Sequence, residues 1–279
     1  MMWRKFIPPD RADYIPFTLF ALLFPTSIGI QFTLLLPKIF DGMTLSVSYA
    51  VVSYLSVAIY FCWFKLITTD STTRGVMLPF VQKPEWKFCW ICNQNSPPRS
   101  YHCQRCNICV LRFDHHCYFT GRCVGFTNYR YFISIIALLW ILCLLLLTTN
   151  FDYVITECGG LNWRTLLVIF FPSIAWLFGL TKELPFLIVL VLLLSVVAFL
   201  FSTYLLLYHS AYLHSGLTTY ERNRKLSKYR CKSKHTNVQS VFGTKLHWSV
   251  LIFVPYLPVK LKGDGTTFEV LNFTTTNTL

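Results

Sequence analysis

Long apolar stretches alternate with short polar ones along this chain. Tyr14 to Pro37 carries no charge over about 24 residues, where a bilayer crossing needs roughly 20. Met43 to Ile67 is the second such stretch, with Lys65 near its end, where a lysine can snorkel to the interface. Thr68 to Trp86 is a polar connector, followed by a cysteine-rich island, Cys89 to Phe132, and then by a third apolar run, Tyr131 to Thr148. Trp163–Leu180 and Leu184–Tyr208 are both apolar and are separated by Lys182 and Glu183. The pattern predicts an α-helical multi-pass membrane protein with a polar domain inserted after its second span.

Charge decides how many stretches cross. Lys65 to Arg130 holds nine Lys/Arg against three Asp/Glu, and Glu221 to Lys234 holds seven against one. The turn at Lys38–Asp41 and the segment Asp152–Arg164 hold almost none. The positive-inside rule therefore puts the island and the tail on the cytosolic side, joined by the N-terminus with Arg4, Lys5 and Arg11. That parity requires four spans, with Trp163–Leu180, broken by Pro172, luminal or re-entrant; five spans is the alternative. The expected organisation is residues 1–68 for the N-terminus and spans 1 and 2, 69–130 for a cytosolic cysteine-rich domain, 131–212 for spans 3 and 4 including segment 163–180, and 213–279 for a cytosolic tail. The basic start precedes an apolar run too long for a signal peptide, so it reads as a retained first span. The aromatic segment Phe242 to Pro258 is too short and proline-broken to cross and is expected to dock at the interface.

Composition agrees with a lipid-solvated chain: 279 residues, 54% hydrophobic and only 13% charged, against about a quarter charged in soluble domains. The net charge of +13 could suggest nucleic acid, but the basic residues collect beside apolar runs, and no nucleic-acid partner is expected. No internal repeat or low-complexity segment stands out.

The island holds seven of the eleven cysteines and three of the seven histidines. Clustered Cx2C pairs inside a large membrane chain favour metal ligation in a reducing compartment over disulfides. The candidates are Cys89, Cys92, His102, Cys103, Cys106, Cys109, His115, His116, Cys117 and Cys123. Two structural tetrahedral zinc sites take four ligands each, so two of the ten are surplus. Pairs 89/92 and 103/106 are strong zinc signals, and adjacent His102 and Cys103 rarely serve one ion. The sites therefore interleave, His102 closing the first and Cys103 opening the second. In an extended stretch His115 and Cys117 share a face while His116 points away. A thiol beside an imidazole is the arrangement of an activated nucleophile, and Asp114 could hold the imidazole tautomer. The competing reading makes all ten alternative ligands or buried filler. Spacing alone leaves open whether Cys117 or Cys123 is spare.

At these residues the chain strongly resembles the DHHC protein S-acyltransferases (palmitoyltransferases). The match covers PPRSYHCQRCNICVLRFDHHC, then Cys123-Val124-Gly125-Phe126 and Asn128, the TTxE-like Thr218-Thr219-Tyr220-Glu221, and the asparagine-containing NVQSVFG at 237–243. The four-span layout with two structural zinc ions in a cytosolic domain between spans 2 and 3 fits as well. The resemblance implies that Cys89, Cys92, His102 and Cys109 hold one Zn2+ and that Cys103, Cys106, His116 and Cys123 hold the other. Cys117 is then the nucleophile, with His115 as base and Asp114 orienting it. TTYE is expected to pack against the catalytic region, and Asn237 to brace the tail. The acyl donor is acyl-CoA, palmitoyl-CoA being the expected form, with its phosphates near Arg122, Arg130 and the 222–234 run and its tail in a cavity among the spans. The acceptors are proteins with cytosolic, membrane-proximal cysteines.

Two stretches depart from the family. Members usually follow the DHHC cysteine with Pro-Trp and place an Asn before the last zinc cysteine, whereas this chain has Tyr118-Phe119-Thr120-Gly121-Arg122. Phe119 stands where the family's Trp lines the acyl-CoA approach. The Asp-Pro-Gly after the second span survives only as Asp70, followed by Ser71 and Thr72. The alternative function is therefore a membrane-anchored zinc scaffold, RING-like or an inactive relative, that recruits partners. The expected location is an endomembrane, Golgi or endoplasmic reticulum, with both termini cytosolic. Cys62 and Cys143 read as packing residues within spans, Cys158 as a lone luminal thiol, and Cys231 as a spectator or acylated thiol of the tail. His209 and His214 are expected at the interface, and His235 and His247 in solvent or packing. Asn272-Phe273-Thr274 fits a glycosylation sequon that a cytosolic tail leaves unused.

Overall fold

A computed structural model describes residues 7–230, 233–243 and 247–268. Arg4, Lys5, Cys231 and the sequon at Asn272, which figured in the sequence reading, lie outside the described residues. Among the described residues, four helical stretches are long and apolar enough to cross a membrane: Arg11–Ile39, Gly42–Thr68, Tyr129–Glu157 and Glu183–Ser215. Each is longer than the apolar run that announced it, because hydropathy marks the lipid-facing centre and hydrogen bonding carries the helix on beyond it.

The first stretch is α1 (Tyr14–Ile30), a π-helical turn at Gln31–Leu35, and α2 (Leu36–Ile39). The second is α3 (Gly42–Thr68), the third α4 (Tyr129–Glu157) and the fourth α7 (Glu183–Ser215). At 33 residues α7 is about 50 Å long, well beyond a hydrocarbon core of about 30 Å. Between α4 and α7 lie two short helices, α5 (Trp163–Phe170) and α6 (Pro172–Leu177), divided at Phe171 with Pro172 in the first turn of α6. Proline lacks the N–H that would continue α5, and it fits the first turn of a helix.

The chain forms two compact units. One comprises Leu19–Tyr60 and Ile136–Leu205. Its core joins Leu35, Tyr153, Val154, Val168, Ala175, Ile188, Val189 and Leu192, so α5 and α6 bury one residue each against the ends of the long helices. Gln31 Nε2 donates to Asn150 Oδ1 at 2.8 Å, both side chains fully buried. Such bonds between apolar helices contribute about 0.6 kcal/mol on average and chiefly fix the register.

The other unit comprises Met1–Thr18, Phe61–Ile135 and Leu206–Leu279. It contains three antiparallel hairpins: β1 (Lys87–Cys89) with β2 (Gln94–Ser96), β3 (Tyr101–Cys103) with β4 (Ile108–Val110), and β5 (His115–Cys117) with β6 (Arg122–Val124). They begin at 87, 101 and 115, an even step of 14 residues, so the island is an internal repeat after all. The sequence hides the period because the three copies share only a few cysteines, histidines and turn residues. In each, the fourth residue after the cysteine that ends the first strand takes a left-handed position in the turn: Asn93 (φ 50°), Asn107 (φ 49°) and Gly121 (φ 58°). Asn and Gly are the residues that tolerate this conformation best.

The connector pairs with the second hairpin. Leu111 N–H donates to Ser71 O at 2.8 Å and Thr73 N–H to Cys109 O at 2.9 Å, while Asp70 Oδ1 accepts from Thr72 N–H at 2.8 Å. The stretch Asp70-Ser71-Thr72 thus forms a side-chain-capped turn without the family's proline and glycine. Past α7, the unit continues through α8 (Thr219–Asn223), α9 (Lys234–Phe242) and α10 (Trp248–Phe253).

Candidate active site and metal centres

Among the described residues, two groups of four thiol and imidazole side chains converge. Cys89, Cys92, His102 and Cys109 have ligand atoms within 4.8 Å of one another, and so do Cys103, Cys106, His116 and Cys123. His102 Nδ1 lies 3.2 Å from Cys92 Sγ and 3.7 Å from Cys89 Sγ. His116 Nδ1 lies 3.3 Å from Cys106 Sγ and 3.6 Å from both Cys103 and Cys123 Sγ. A tetrahedron with Zn–S near 2.3 Å and Zn–N near 2.0 Å has edges of about 3.5–3.8 Å. The donor chemistry and spacing of both groups therefore suit Zn2+.

The repeat explains the interleaving. Each group takes the Cx2C pair of one hairpin and a histidine and cysteine from the next. In the second hairpin His102 faces Cys109 across the ladder, and in the third His116 faces Cys123, so each pair projects from one sheet face. The third hairpin has no successor. Its Cx2C equivalent is Cys117-Tyr118-Phe119-Thr120, with threonine where the earlier copies have Cys92 and Cys106. Cys117 belongs to neither group of four.

Alternation turns His115 and Cys117 to the face opposite His116 and Cys123. His115 Nδ1 is 2.7 Å from Asp114 Oδ2, and its ring hydrogen-bonds the Cys117 thiol. Cys117 and Asp114 are buried, at 8% and 3% exposure, and His115 is half-buried. Burial opposes charge on each of them, but the mutual contacts outweigh it. The Asp114 carboxylate and the Cys117 thiol raise the His115 pKa to about 9. Burial would raise the Cys117 thiol, yet the His115 hydrogen bond and charge, helped by Thr120, hold it below the usual thiol range. Asp114 is likewise held low by His115 despite its burial. The arrangement is chemically competent as a thiolate–imidazolium pair oriented by a carboxylate.

The tail clamps this carboxylate. Thr218 caps α8 with its hydroxyl while Glu221 returns a carboxylate oxygen to Thr218 N–H, a reciprocal capping box. The freed amide of Thr219 donates to Asp114 Oδ1 at 2.9 Å. Glu221 is fully buried and accepts from Arg99 Nε and Nη2, both at 2.6 Å, and Arg99 also donates to Gly216 O at 2.8 Å. Asn237 Nδ2 donates to His214 O at 2.8 Å, tying α9 to the end of α7.

Several placements differ from expectation or went unforeseen. His209, expected at an interface, is 3% exposed, because Tyr129 and Phe132 enclose its ring. Its Nδ1 lies 3.1 Å from Tyr129 Oη, and its ring is 5.8 Å from that of His115. Asp114, His115 and His209 form a third cluster of ligand-type atoms. Arg122 Nη2 donates to Ile7 O at 3.1 Å and Arg130 Nη1 to Leu257 O at 3.2 Å, so both candidate phosphate contacts also serve the fold. Phe119 is 41% exposed, and its carbonyl accepts from Trp63 Nε1 at 3.0 Å. Arg99 lay within the matching run PPRSYHC but was assigned no role there, and Asp13 was not singled out.

Known proteins place this geometry. The family model for DHHC palmitoyltransferase matches residues 82–226, which is more than half of the chain. Probable palmitoyltransferase ZDHHC24 of Rattus norvegicus is 34% identical over 209 residues, covering 73% of this chain and 71% of that protein. Its Homo sapiens counterpart is 33% identical with the same coverage. Protein S-acyltransferase 8 of Arabidopsis thaliana is 32% identical over 146 residues, 51% of this chain and 32% of that one. With its two metal-competent clusters lying between the second and third of four apolar helices, the chain belongs to the DHHC palmitoyltransferase family, the protein-cysteine S-palmitoyltransferases.

Proposed function

We propose that this protein moves a long-chain acyl group from acyl-CoA to cysteines of proteins at the cytosolic face of an endomembrane, through a covalent acyl-Cys117 intermediate. One observation carries the reading: of the island's seven cysteines, Cys117 alone stands outside both four-residue clusters, and it faces an imidazole braced by a carboxylate.

The steps follow from the resting ion pair. The Cys117 thiolate attacks the thioester carbonyl, the C–S bond to CoA breaks, and the departing sulfur takes the proton from His115 imidazolium. His115, now neutral, accepts the proton of the incoming substrate thiol. That thiolate attacks the acyl-Cys117 carbonyl and expels the Cys117 thiolate, which restores the pair. Donor and acceptor thus use one site in turn, a ping-pong course. Asp114, fixed by the Thr219 amide, keeps His115 in the tautomer that presents its other nitrogen to sulfur.

Both clusters hold Zn2+ in this reading, each closed by four protein side chains and therefore structural; the ions staple the hairpins that carry the dyad. Acyl burial in an apolar environment contributes about 0.8 kcal/mol per CH2 and favours long chains. Arg122, Arg130 and the exposed run from Arg222 onward would meet the CoA phosphates.

Cys117→Ser is expected to abolish loading with labelled palmitoyl-CoA while zinc stays near two per chain. A hydroxylamine-sensitive label retained at the wild-type level would assign the nucleophile elsewhere. Absence of any loading in the wild-type protein would leave the scaffold role.

A further inference from the structure

The seven residues Ile7–Asp13, ahead of α1, make contacts that neither the catalytic reading nor the charge rule uses. Asp13 is fully buried, and its Oδ2 lies 2.7 Å from His116 Nε2. His116 turns its other nitrogen, Nδ1, toward the three thiols of the second cluster. The histidine is thus gripped at both ends, with Nε2–H donating to the carboxylate and Nδ1 left free for a metal. Arg105, from the turn of the second hairpin, reaches the same segment. Its Nη1 is 2.8 Å from Asp10 Oδ2 and 3.5 Å from Asp13 Oδ1, and its guanidinium lies 4.6 Å from the centre of the Tyr118 ring. Asp10 in turn caps the single 3-10 turn Arg11–Asp13 through Ala12 N–H, which aims Asp13 inward.

The linker between Cys117 and the last ligand closes over this segment. Arg122 donates to Ile7 O, and a Cβ on Gly121 would come within 2.5 Å of Pro8 Cβ. Of these partners His116 belongs to the second metal group, Arg105 lies in the turn between its Cys103 and Cys106, and Tyr118, Gly121 and Arg122 belong to the linker that departs from the family.

We propose that Ile7–Asp13 is a built-in part of the second metal site: Asp13 is a positioning residue that fixes the His116 tautomer, and Arg105 holds Asp13 in place. Carboxylates behind ligating histidines raise ligand basicity and orient the ring, and losing one typically costs 10–100-fold in metal affinity. The segment also braces Tyr118–Arg122 where the family's Pro-Trp is missing. The inference rests on zinc occupying the two clusters, and a wild-type chain without two zinc ions would remove that basis rather than test the strap.

The experiment is chelator challenge of the full-length protein in nanodiscs, with thiol alkylation mapped by mass spectrometry. In Asp13→Asn one of two zinc ions should leave about tenfold faster or more, exposing Cys103, Cys106 and Cys123 to alkylation while Cys89, Cys92 and Cys109 stay protected. Asp13→Glu should recover part of the retention, and Arg105→Gln should speed release of the same ion to a lesser degree. These variants leave all eight proposed ligands and the catalytic dyad in place. Wild-type release of both ions overturns the proposal. So does equal acceleration of both, which reports general destabilisation. If Asp13→Asn does not accumulate, Arg105→Gln decides by the same two criteria.

Discussion

The second and third hairpins share a fold, a turn and a ladder register, yet one gives its Cx2C pair to a four-ligand cluster and the other carries Cys117, the proposed nucleophile. Both contribute a histidine and a cysteine from one face to the preceding ion site. They differ at the Cx2C pair. Cys103 and Cys106 converge with His116 and Cys123 of the next hairpin, whereas Cys117 has no fourth hairpin to join, and threonine fills the place of its partner. The proposed nucleophile thus lies where a metal-competent repeat stops. Burial that would otherwise silence it is offset by His115, which the same alternation delivers to the free face.

The sharpest way to break this difference is to complete the repeat. Thr120→Cys gives the third hairpin a Cx2C pair, and loading should fall by orders of magnitude as Cys117 is captured in a metal or disulfide pair. Loading at the wild-type rate, with Cys117 still free to alkylate, would show that the position does not govern the thiol. The next largest effect removes the imidazole. His115→Ala should slow loading about 100-fold or more. It should also move the pH midpoint of Cys117 alkylation up toward about 8.5. The sign follows from the ion pair. A thiol held low stays reactive as the pH falls below the usual thiol range, so the variant loses most at neutral pH and least above 9. An unchanged alkylation profile would mean that His115 does not set the thiol. The smallest change sharpens the turn itself. Gly121→Ala places a side chain at φ 58° against Pro8, at a cost of about 2 kcal/mol, read as a lower melting temperature with the Cys117 pH profile unaltered. A shifted profile would mean that the turn tunes the nucleophile directly.

Local patterns carried much of this architecture. Uncharged runs announced the four apolar helices, and the period-two rule placed His115 and Cys117 together, opposite His116. What escaped were partners brought in from far along the chain. Asp13 lies 103 residues before His116, and Glu221 lies 122 residues after Arg99; no periodicity links such positions. The 14-residue step escaped for a different reason. The hairpins need in common only ligands and a residue tolerant of positive φ, so the rest of each copy varied until the period disappeared from view. His209 was misplaced because a histidine near the end of a span resembles an interfacial residue until the side chains closing over it are known.

The clamp on Asp114 has a consequence in time. Thr219 is 105 residues downstream of the carboxylate it holds, and the fourth apolar helix lies between them. At synthesis rates of 5–20 residues per second, the ribosome delivers Cys117 and His115 roughly 5–20 s before the amide that holds Asp114. During that interval the newly made thiol sits beside a bilayer without its finished machinery. In the proposed mechanism the contact that orients the acid therefore arrives only with the tail, after the last apolar helix is made.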